Sequence, residues 1–294
     1  MLTTVVFDAD ETLLDLRPAV TGGLVAVLDE MRRLAPAAAA KVSLAELESD
    51  WGAVFGELKA APVAEIRRAA LARSLARAGL DDHLDDAAAL FFARRFALTR
   101  PFSDVPPALA ALRGRYTLGF ATNGNSRTER CGLAGEFAFE VYAHENGLPK
   151  KPAPEFFAAV VAAAGVPAEQ IVYVGDSWEH DVVAPQRAGL RSVWLNRQGL
   201  PRPVGCTPDA EVSSLAELSI ALADLHVGVG GLRVGAGGVG TDEAGASGVG
   251  VGAGVGDVRS VGVGGVGVGG VGVGLGGVGV GGAGVGGAAV ELGG

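Results

Sequence analysis

From about Pro106 onward the sequence alternates between two kinds of segment, and that alternation leaves few folds open. Short runs rich in β-branched and aromatic residues fall at 116–121, 137–142, 171–175, 191–195 and 210–212. Helical stretches lie among them: 154–164 closed by Gly165, a segment from Asp176 to about Ala188 closed by Gly189, and 215–225. Glycine just past a helix is a stop signal, because it readily takes the left-handed conformation that ends the last turn. Strands this far apart in sequence do not pair as tight hairpins. They line up in parallel, with the intervening helices on both faces. The expected fold class is α/β.

The N-terminus supplies a further strand of the same sheet. Val5, Val6 and Phe7 form a continuous apolar run, the pattern of a strand buried on both faces. The run stops at Asp8-Ala9-Asp10-Glu11-Thr12. Side chains of an extended segment repeat every second residue, so Asp8 and Asp10 are expected to point the same way. Carboxylates at the carboxyl end of a buried strand sit where open α/β sheets bind ligands. Their mutual repulsion is relieved by a cation or a proton between them.

Residues 16–98 are rich in Ala, Leu, Arg and Glu and contain no convincing strand. Leu44, Leu47, Trp51, Val54, Phe55 and Leu58 share one helical stripe, opened by a Ser43/Glu46 capping box. Further helices are expected over 63–78, stopped by Gly79, and over 82–98, stopped before Pro101. The layout is a core of 1–14 and 99–226 interrupted by an all-helical cap at 15–98. Trp51, Phe55, Phe91 and Phe92 are expected to pack within that cap, and Arg17 to serve the hinge or the surface. Residues 227–294 are Gly/Val repeats that hold most of the chain's 47 glycines and no aromatic residue. Such a segment has a large ordering entropy and no core-forming side chains, so a disordered low-complexity tail is expected.

A net charge of −9 argues against nucleic acid or an anionic membrane as partner. Cys131 and Cys206, the only cysteines, are too few for a disulfide framework and suit a reducing compartment. No basic-then-apolar leader opens the sequence, and no run before the tail is long and apolar enough to span a bilayer. The expectation is a soluble cytoplasmic monomer or homodimer that acts on a small molecule.

Four polar stations recur at or just after strand ends: Asp8/Asp10, Thr122/Asn123, Lys151, and Asp176/Asp181. Singly, each has a structural explanation. Thr122 and Asn123 can open a turn, Lys150 and Lys151 can be solvated charge, Asp176 can cap a helix, and Asp181 can be a first-turn acid. Strand ends of a parallel sheet converge on one edge, however, so the four stations can meet. Asp8-Ala9-Asp10-Glu11-Thr12, Ala121-Thr122-Asn123-Gly124, Lys151-Pro152 and Gly175-Asp176-Ser177-Trp178-Glu179-His180-Asp181 resemble the four motifs of the haloacid dehalogenase-like hydrolase superfamily. The resemblance covers about residues 3–225, with the helical insert in the place of that family's cap.

The resemblance implies a Rossmann-like sheet and a magnesium-dependent phosphatase of a small phosphorylated metabolite such as a nucleotide, a sugar phosphate or a phosphoglycolate-like compound. It implies Asp8 as the nucleophile that becomes an aspartyl-phosphate, and Asp10 as the acid that protonates the leaving oxygen and later activates water. Asp8, the main-chain carbonyl of Asp10 and Asp176 are implied as Mg²⁺ ligands. Asp181 either binds the ion, directly or through water, or orients Lys151. Thr122 and the amide of Asn123 are implied to hold the phosphoryl oxygens, and Lys151, chosen over Lys150 because it precedes Pro152, to offset their charge. Family dehalogenases use the same nucleophile on carbon, without magnesium, and typically lack the acid corresponding to Asp10. A binding module that has lost catalysis is a second alternative, although Asp8, Asp10, Lys151 and Asp176 are all retained, and a structural protein that works through its Gly/Val tail is a third. His180 has no second His or Cys at metal spacing and is expected to be a solvated helix residue. Cys131 has no partner for thiol chemistry.

Overall fold

The computed structural model describes residues 1–227; the tail expected to be disordered lies outside the described residues except for Val227, which ends the last helix. Eight strands are described: β1 (Thr4–Phe7), β2 (Leu14–Asp15), β3 (Arg100–Pro101), β4 (Thr117–Thr122), β5 (Phe139–Tyr142), β6 (Ile171–Gly175), β7 (Arg191–Leu195) and β8 (Ala210–Val212). Six of them form one sheet in the order β5-β4-β1-β6-β7-β8, and every pair runs parallel. The fold class read from the sequence is the observed one.

β1 is fully buried, and its alternation explains why its sequence is apolar without interruption. Val5 and Phe7 enter one hydrophobic cluster with Leu109 and Leu112 of α6 (Val105–Leu112) and Leu218 and Leu222 of α9 (Leu218–Val227). Val6 enters another with Phe156, Phe157 and Val160 of α7 (Pro154–Ala164) and Ala184 of α8 (Ala184–Arg187). Full burial of such side chains contributes about 1.5–3 kcal/mol each. The sheet therefore carries helices on both faces, and its last strands are tied down by α9. β1 is flanked by β4 and β6, with Phe7 opposite Phe120 on one side and Val174 on the other. That register brings Asp8, Thr122 and Asp176 to one edge, at the point where the strand order reverses and α/β sheets open a crevice.

Five helices precede β3: α1 (Leu16–Leu34), α2 (Pro36–Ala39), α3 (Leu44–Leu58), α4 (Val63–Ala76) and α5 (Leu84–Leu98). They have a core of their own, built from Leu24, Val27 and Met31 of α1, Leu71 and Leu75 of α4, and Phe91 of α5. α1 approaches α5 closely because Gly23 faces the Phe91 ring, where a Cβ would stand 2.9 Å from a ring carbon. The Ser43/Glu46 capping box forms as the sequence indicates. α4 ends two residues early, at Ala76, and α5 starts at Leu84 after a 3₁₀ turn over Asp81–His83. Phe55 is exposed rather than packed, leaning on Trp51.

The block joins the sheet through an antiparallel ribbon, β2 with β3, pairing Leu14 with Pro101 and Asp15 with Arg100. Two residues per strand are too few to leave a period in the sequence. The helix expected after Asp176 is instead a π turn, Trp178–Val183, followed by α8. Pro185, which has no N–H to give, interrupts the regular ladder there. Wide turns of this kind recur at functional sites, and this one carries Asp181 with its side chain almost fully buried. Among the described residues no helix is long and apolar enough to cross a membrane.

Candidate active site

β1 ends at Phe7, and Asp8 follows it while its N–H still donates to the Val174 carbonyl at 2.9 Å. Beyond Asp8 the chain leaves the sheet. Glu11 has φ of 64°, a left-handed conformation costing about 1–2 kcal/mol for a residue with a Cβ. The turn it makes lets both Leu13 and Leu14 donate to the Ala9 carbonyl. Asp10, just ahead of this turn, lines the same pocket as Asp8.

Lys151 holds the centre of the pocket. Its Nζ donates to Asp8 Oδ1 at 2.6 Å, to Asp181 Oδ1 at 2.7 Å and to the Tyr173 hydroxyl at 2.9 Å. These three partners use every proton of the ammonium group. Tyr173 passes its own hydrogen to the Ala121 carbonyl at 2.7 Å. Burial on its own would lower the pKa of Lys151, but the Asp181 and Asp8 carboxylates outweigh it and hold the amine well above its ordinary value. Asn123 fixes the main chain beneath: its Nδ2 donates to the Lys151 carbonyl at 3.0 Å, and its Oδ1 accepts from the Lys151 N–H at 2.7 Å. Lys150 points elsewhere, toward the Lys59 carbonyl at the end of α3. Of the two adjacent lysines, only Lys151 enters the site.

Three carboxylates, Asp8, Asp176 and Asp181, each place an oxygen within 4.8 Å of the others. Asp181 Oδ2 also accepts from the Ser177 N–H at 3.0 Å. Asp176 Oδ1 accepts from the Thr12 hydroxyl at 3.3 Å, while that hydroxyl accepts from the Asp176 N–H at 3.1 Å. One ammonium faces three carboxylates, so negative charge is in excess. Burial, then the charges of Asp8 and Asp181, pushes Asp176 up to about 8. An all-oxygen set of hard carboxylates around an uncompensated charge fits Mg²⁺. The Asp10 side chain is not part of this set.

Asp10 is held from the opposite direction. Its Oδ1 accepts from the Ser126 hydroxyl at 2.9 Å, and Ser126 accepts from Arg95 Nη2 at 2.6 Å. Arg95 also donates to Asn125 Oδ1 at 3.0 Å and is itself almost fully buried. Burial raises the Asp10 pKa, with Arg95 the main opposing influence. Gly124 packs so closely that a Cβ there would lie 2.5 Å from Asp10 Oδ2. Thr122 Oγ1 accepts from the Gly124 N–H at 2.9 Å, which leaves its hydroxyl hydrogen to donate elsewhere.

Two cavities meet at Asp10. The smaller, about 150 Å³, is lined by Asp8, Asp10, Thr122, Asn123, Lys151, Asp176 and Asp181, so every site residue named from the sequence faces it. His180 lines it too, half-buried with Nδ1 3.1 Å from the Ser177 hydroxyl, and is not the solvated residue the sequence suggests. The larger, about 420 Å³, runs from Asp10 and Asn125 up to Arg67, Trp51, Phe91 and Phe92 of the helical block, and Arg17 lines it while paired with Glu11 at 3.1 Å. Trp51, Phe91 and Phe92 pack within the helical block as expected and also wall this cavity. Sequence reasoning missed Arg67, Arg95, Ser126 and Tyr173. Ser126 lay in the polar turn after β4 and carried a weak signal; the arginines, inside helices of ordinary composition, carried none.

The family model described as haloacid dehalogenase-like hydrolase matches residues 2–189. A pyrimidine 5'-nucleotidase of Escherichia coli (strain K12) is 36% identical over 124 residues, covering 40% of this chain and 55% of that protein. A phosphoserine phosphatase of Thermus thermophilus is 34% identical over 140 residues, covering 46% and 55% respectively. The chain thus spans about half the length of these relatives. The crystal structure of a 2-haloacid dehalogenase from Pseudomonas syringae superposes with a TM-score of 0.64 at 33% identity, covering 76% of this chain and 99% of that one.

Proposed function

This chain belongs to the haloacid dehalogenase-like hydrolase family, and we propose that it is a magnesium-dependent phosphohydrolase of small phosphorylated metabolites. The observation that carries the reading is that Asp8, held by Lys151, and Asp10 line one small cavity. Asp8 Oδ1 is engaged by Lys151, and the other carboxylate oxygen attacks phosphorus. An Oδ–P bond forms as the bond from phosphorus to the leaving oxygen breaks, and Asp10 delivers its proton to that oxygen. Asp10 then takes a proton from the water that cleaves the aspartyl-phosphate. Thr122, through its free hydroxyl hydrogen, and the amide of Asn123 hold the phosphoryl oxygens, while Lys151 offsets their charge. Asp8, Asp176, Asp181 and the main-chain carbonyl of Asp10 would hold magnesium, which would supply positive charge to the transferring group.

Phosphate-ester activity is in the names of the two relatives above. Nucleotides, sugar phosphates and phosphoglycolate-like compounds are the candidate substrates, acted on by a cytoplasmic monomer or homodimer with no nucleic-acid or membrane partner.

Hydrolysis of a 2-haloacid is the second reading, favoured by the likeness to the Pseudomonas syringae dehalogenase. There Asp8 would attack carbon and expel halide. A halide ion leaves without a proton, so that reading gives Asp10 no leaving group to protonate and only water to activate, and it gives the third carboxylate, Asp176, no cation to bind. Acid quenching during turnover, followed by peptide mass analysis, separates the two. A phosphoryl adduct on the peptide carrying Asp8 is expected; a carboxyalkyl ester there would establish the dehalogenase instead.

A further inference from the structure

The helical block buries a cation that the proposed chemistry does not use. Arg67, on α4, is 6% exposed. Its guanidinium is stacked between the Trp51 ring, 4.2 Å away, and the Phe91 ring, 4.8 Å away. Its Nη1 is shut off from solvent with no acceptor among the described residues. Stacking satisfies the faces of a guanidinium but not its edge N–H groups, and a buried donor left without an acceptor is costly. Burial and then the neighbouring Arg95 bring its pKa down to about 10, so it remains charged at neutral pH.

The surroundings narrow what can neutralise it. Arg67 lines the larger cavity, which Asp10 lines as well. The other cations there are committed: Arg95 to Ser126 and Asn125, and Arg17 to Glu11. Glu48 also lines the cavity and its charge favours the charged form of Arg67, but it is exposed and makes no ion pair with it among the described residues. One unpaired positive charge therefore awaits one negative charge, above walls that are otherwise largely apolar and aromatic. A guanidinium edge matches a carboxylate in bidentate geometry, and a monoanion balances the charge where a second phosphate dianion would exceed it.

We propose that Arg67 recognises a carboxylate on the leaving group, so that the preferred substrate is a phosphate monoester whose alcohol half joins an apolar body to a carboxylate. This rests on the phosphohydrolase reading for the reaction but on Arg67 and its cavity for the ligand. The phosphoryl group occupies the small cavity, Asp10 stands at the junction, and the alcohol half extends beneath Trp51 and Phe91 to Arg67.

The test compares phenyl phosphate, 4-carboxyphenyl phosphate and 1,4-phenylene bisphosphate on the magnesium-loaded protein, wild type and Arg67→Met. In the wild type, kcat/KM for the carboxylated ester is expected to exceed that for phenyl phosphate by about ten- to a hundred-fold. That ratio should collapse toward unity in Arg67→Met and be only partly kept in Arg67→Lys, which retains charge without the fork. A wild-type ratio near unity, a ratio unchanged by Arg67→Met, or a stronger preference for the bisphosphate would overturn the proposal. Calorimetric binding of 4-hydroxybenzoate against phenol needs no turnover. Tighter, Arg67-dependent binding of the carboxylate in a protein that hydrolyses none of the esters would uphold the anion site while ending the phosphohydrolase reading. Turnover of the esters with equal binding of the two phenols would do the reverse.

Discussion

Arg95, on the last helix of the helical block, sets its Nη2 3.8 Å from Asp10 Oδ1 on the sheet side. Both are joined to the Ser126 hydroxyl, which accepts from the arginine at 2.6 Å and donates to the aspartate at 2.9 Å. The block is therefore coupled to the proposed acid through a buried ion pair and not merely laid over it. Arg95→Leu is expected to lower kcat about 10–100-fold, the scale of misplacing a general acid, with magnesium affinity nearly unchanged. The sign of the pH effect follows from the charges. Arg95 opposes the burial that raises the Asp10 pKa, so its removal raises that pKa further. Protonated Asp10 then persists to higher pH, and the alkaline limb of the pH–kcat profile should move upward. A profile that keeps its limbs while kcat falls would assign Arg95 a packing role only.

Lys151 is the counter-charge for Asp8 and Asp181, and its side chain is 2% exposed. Lys151→Met leaves two buried carboxylates unpaired, a loss of about 3–5 kcal/mol. Thermal unfolding of the variant should show a large fall in Tm without metal. Saturating Mg²⁺ should restore part of it, and restore more in the variant than in the wild type. Equal magnesium shifts in the two proteins would place the cation away from these carboxylates.

Gly175 and Gly124 leave room for reacting groups instead of making turns. A Cβ on Gly175 would lie 2.4 Å from the Asp181 carboxyl, and one on Gly124 would lie 2.5 Å from Asp10 Oδ2. Gly175→Ala is expected to cost both stability and activity, because Asp181 is buried and bonded to Lys151. Gly124→Ala should keep the fold, since Asp10 has the larger cavity beside it, and lower kcat about 10–100-fold by displacing the acid. Unfolding midpoints read beside kcat distinguish the two.

Asp104 is a structural counterpart of these sites. Its carboxylate accepts from Arg197 at 2.8 and 3.0 Å, from the Ser214 hydroxyl at 2.7 Å and from the Leu215 N–H at 2.9 Å. Arg197 also donates to the Thr12 carbonyl at 3.0 Å. Partial burial works to raise the Asp104 pKa, but these donors prevail and hold it below the ordinary value. A depressed folded pKa gives stability that is whole above the unfolded value of about 3.9 and is lost as pH falls through the folded one. Asp104→Asn should cost about 1–2 kcal/mol at neutral pH, allowing for its partial exposure, and flatten the acid side of the stability curve. Urea unfolding at pH 7 and pH 3 measures both.

Much of the site was legible because strand ends announce themselves. An unbroken β-branched run ending in Asp8, or in Gly175-Asp176, can be seen in sequence, and parallel topology then brings the ends together. Lys151 was separable from Lys150 only by its place before Pro152; its Nζ is the one that meets Asp8 and Asp181. Arg67 and Arg95 were not legible, because a helix repeats its surface every 3.6 residues and nothing in α4 or α5 marks which stripe turns toward the sheet. The π turn was hidden for a related reason: the pattern around Pro185 suits an ordinary helix start as well as a widened one. The β2/β3 ribbon was too short to leave a pattern, and His180 was judged by metal spacing when its setting is decided by the turn that carries it.

The measurement that bears most directly on the central claim is phosphate release from an aryl phosphate and a panel of small phosphorylated metabolites, with and without Mg²⁺, by the wild type and by Asp8→Asn. The account requires turnover that depends on magnesium and disappears in Asp8→Asn while the variant stays folded. Chloride release from a 2-haloacid, with no phosphate released from any ester, would contradict it.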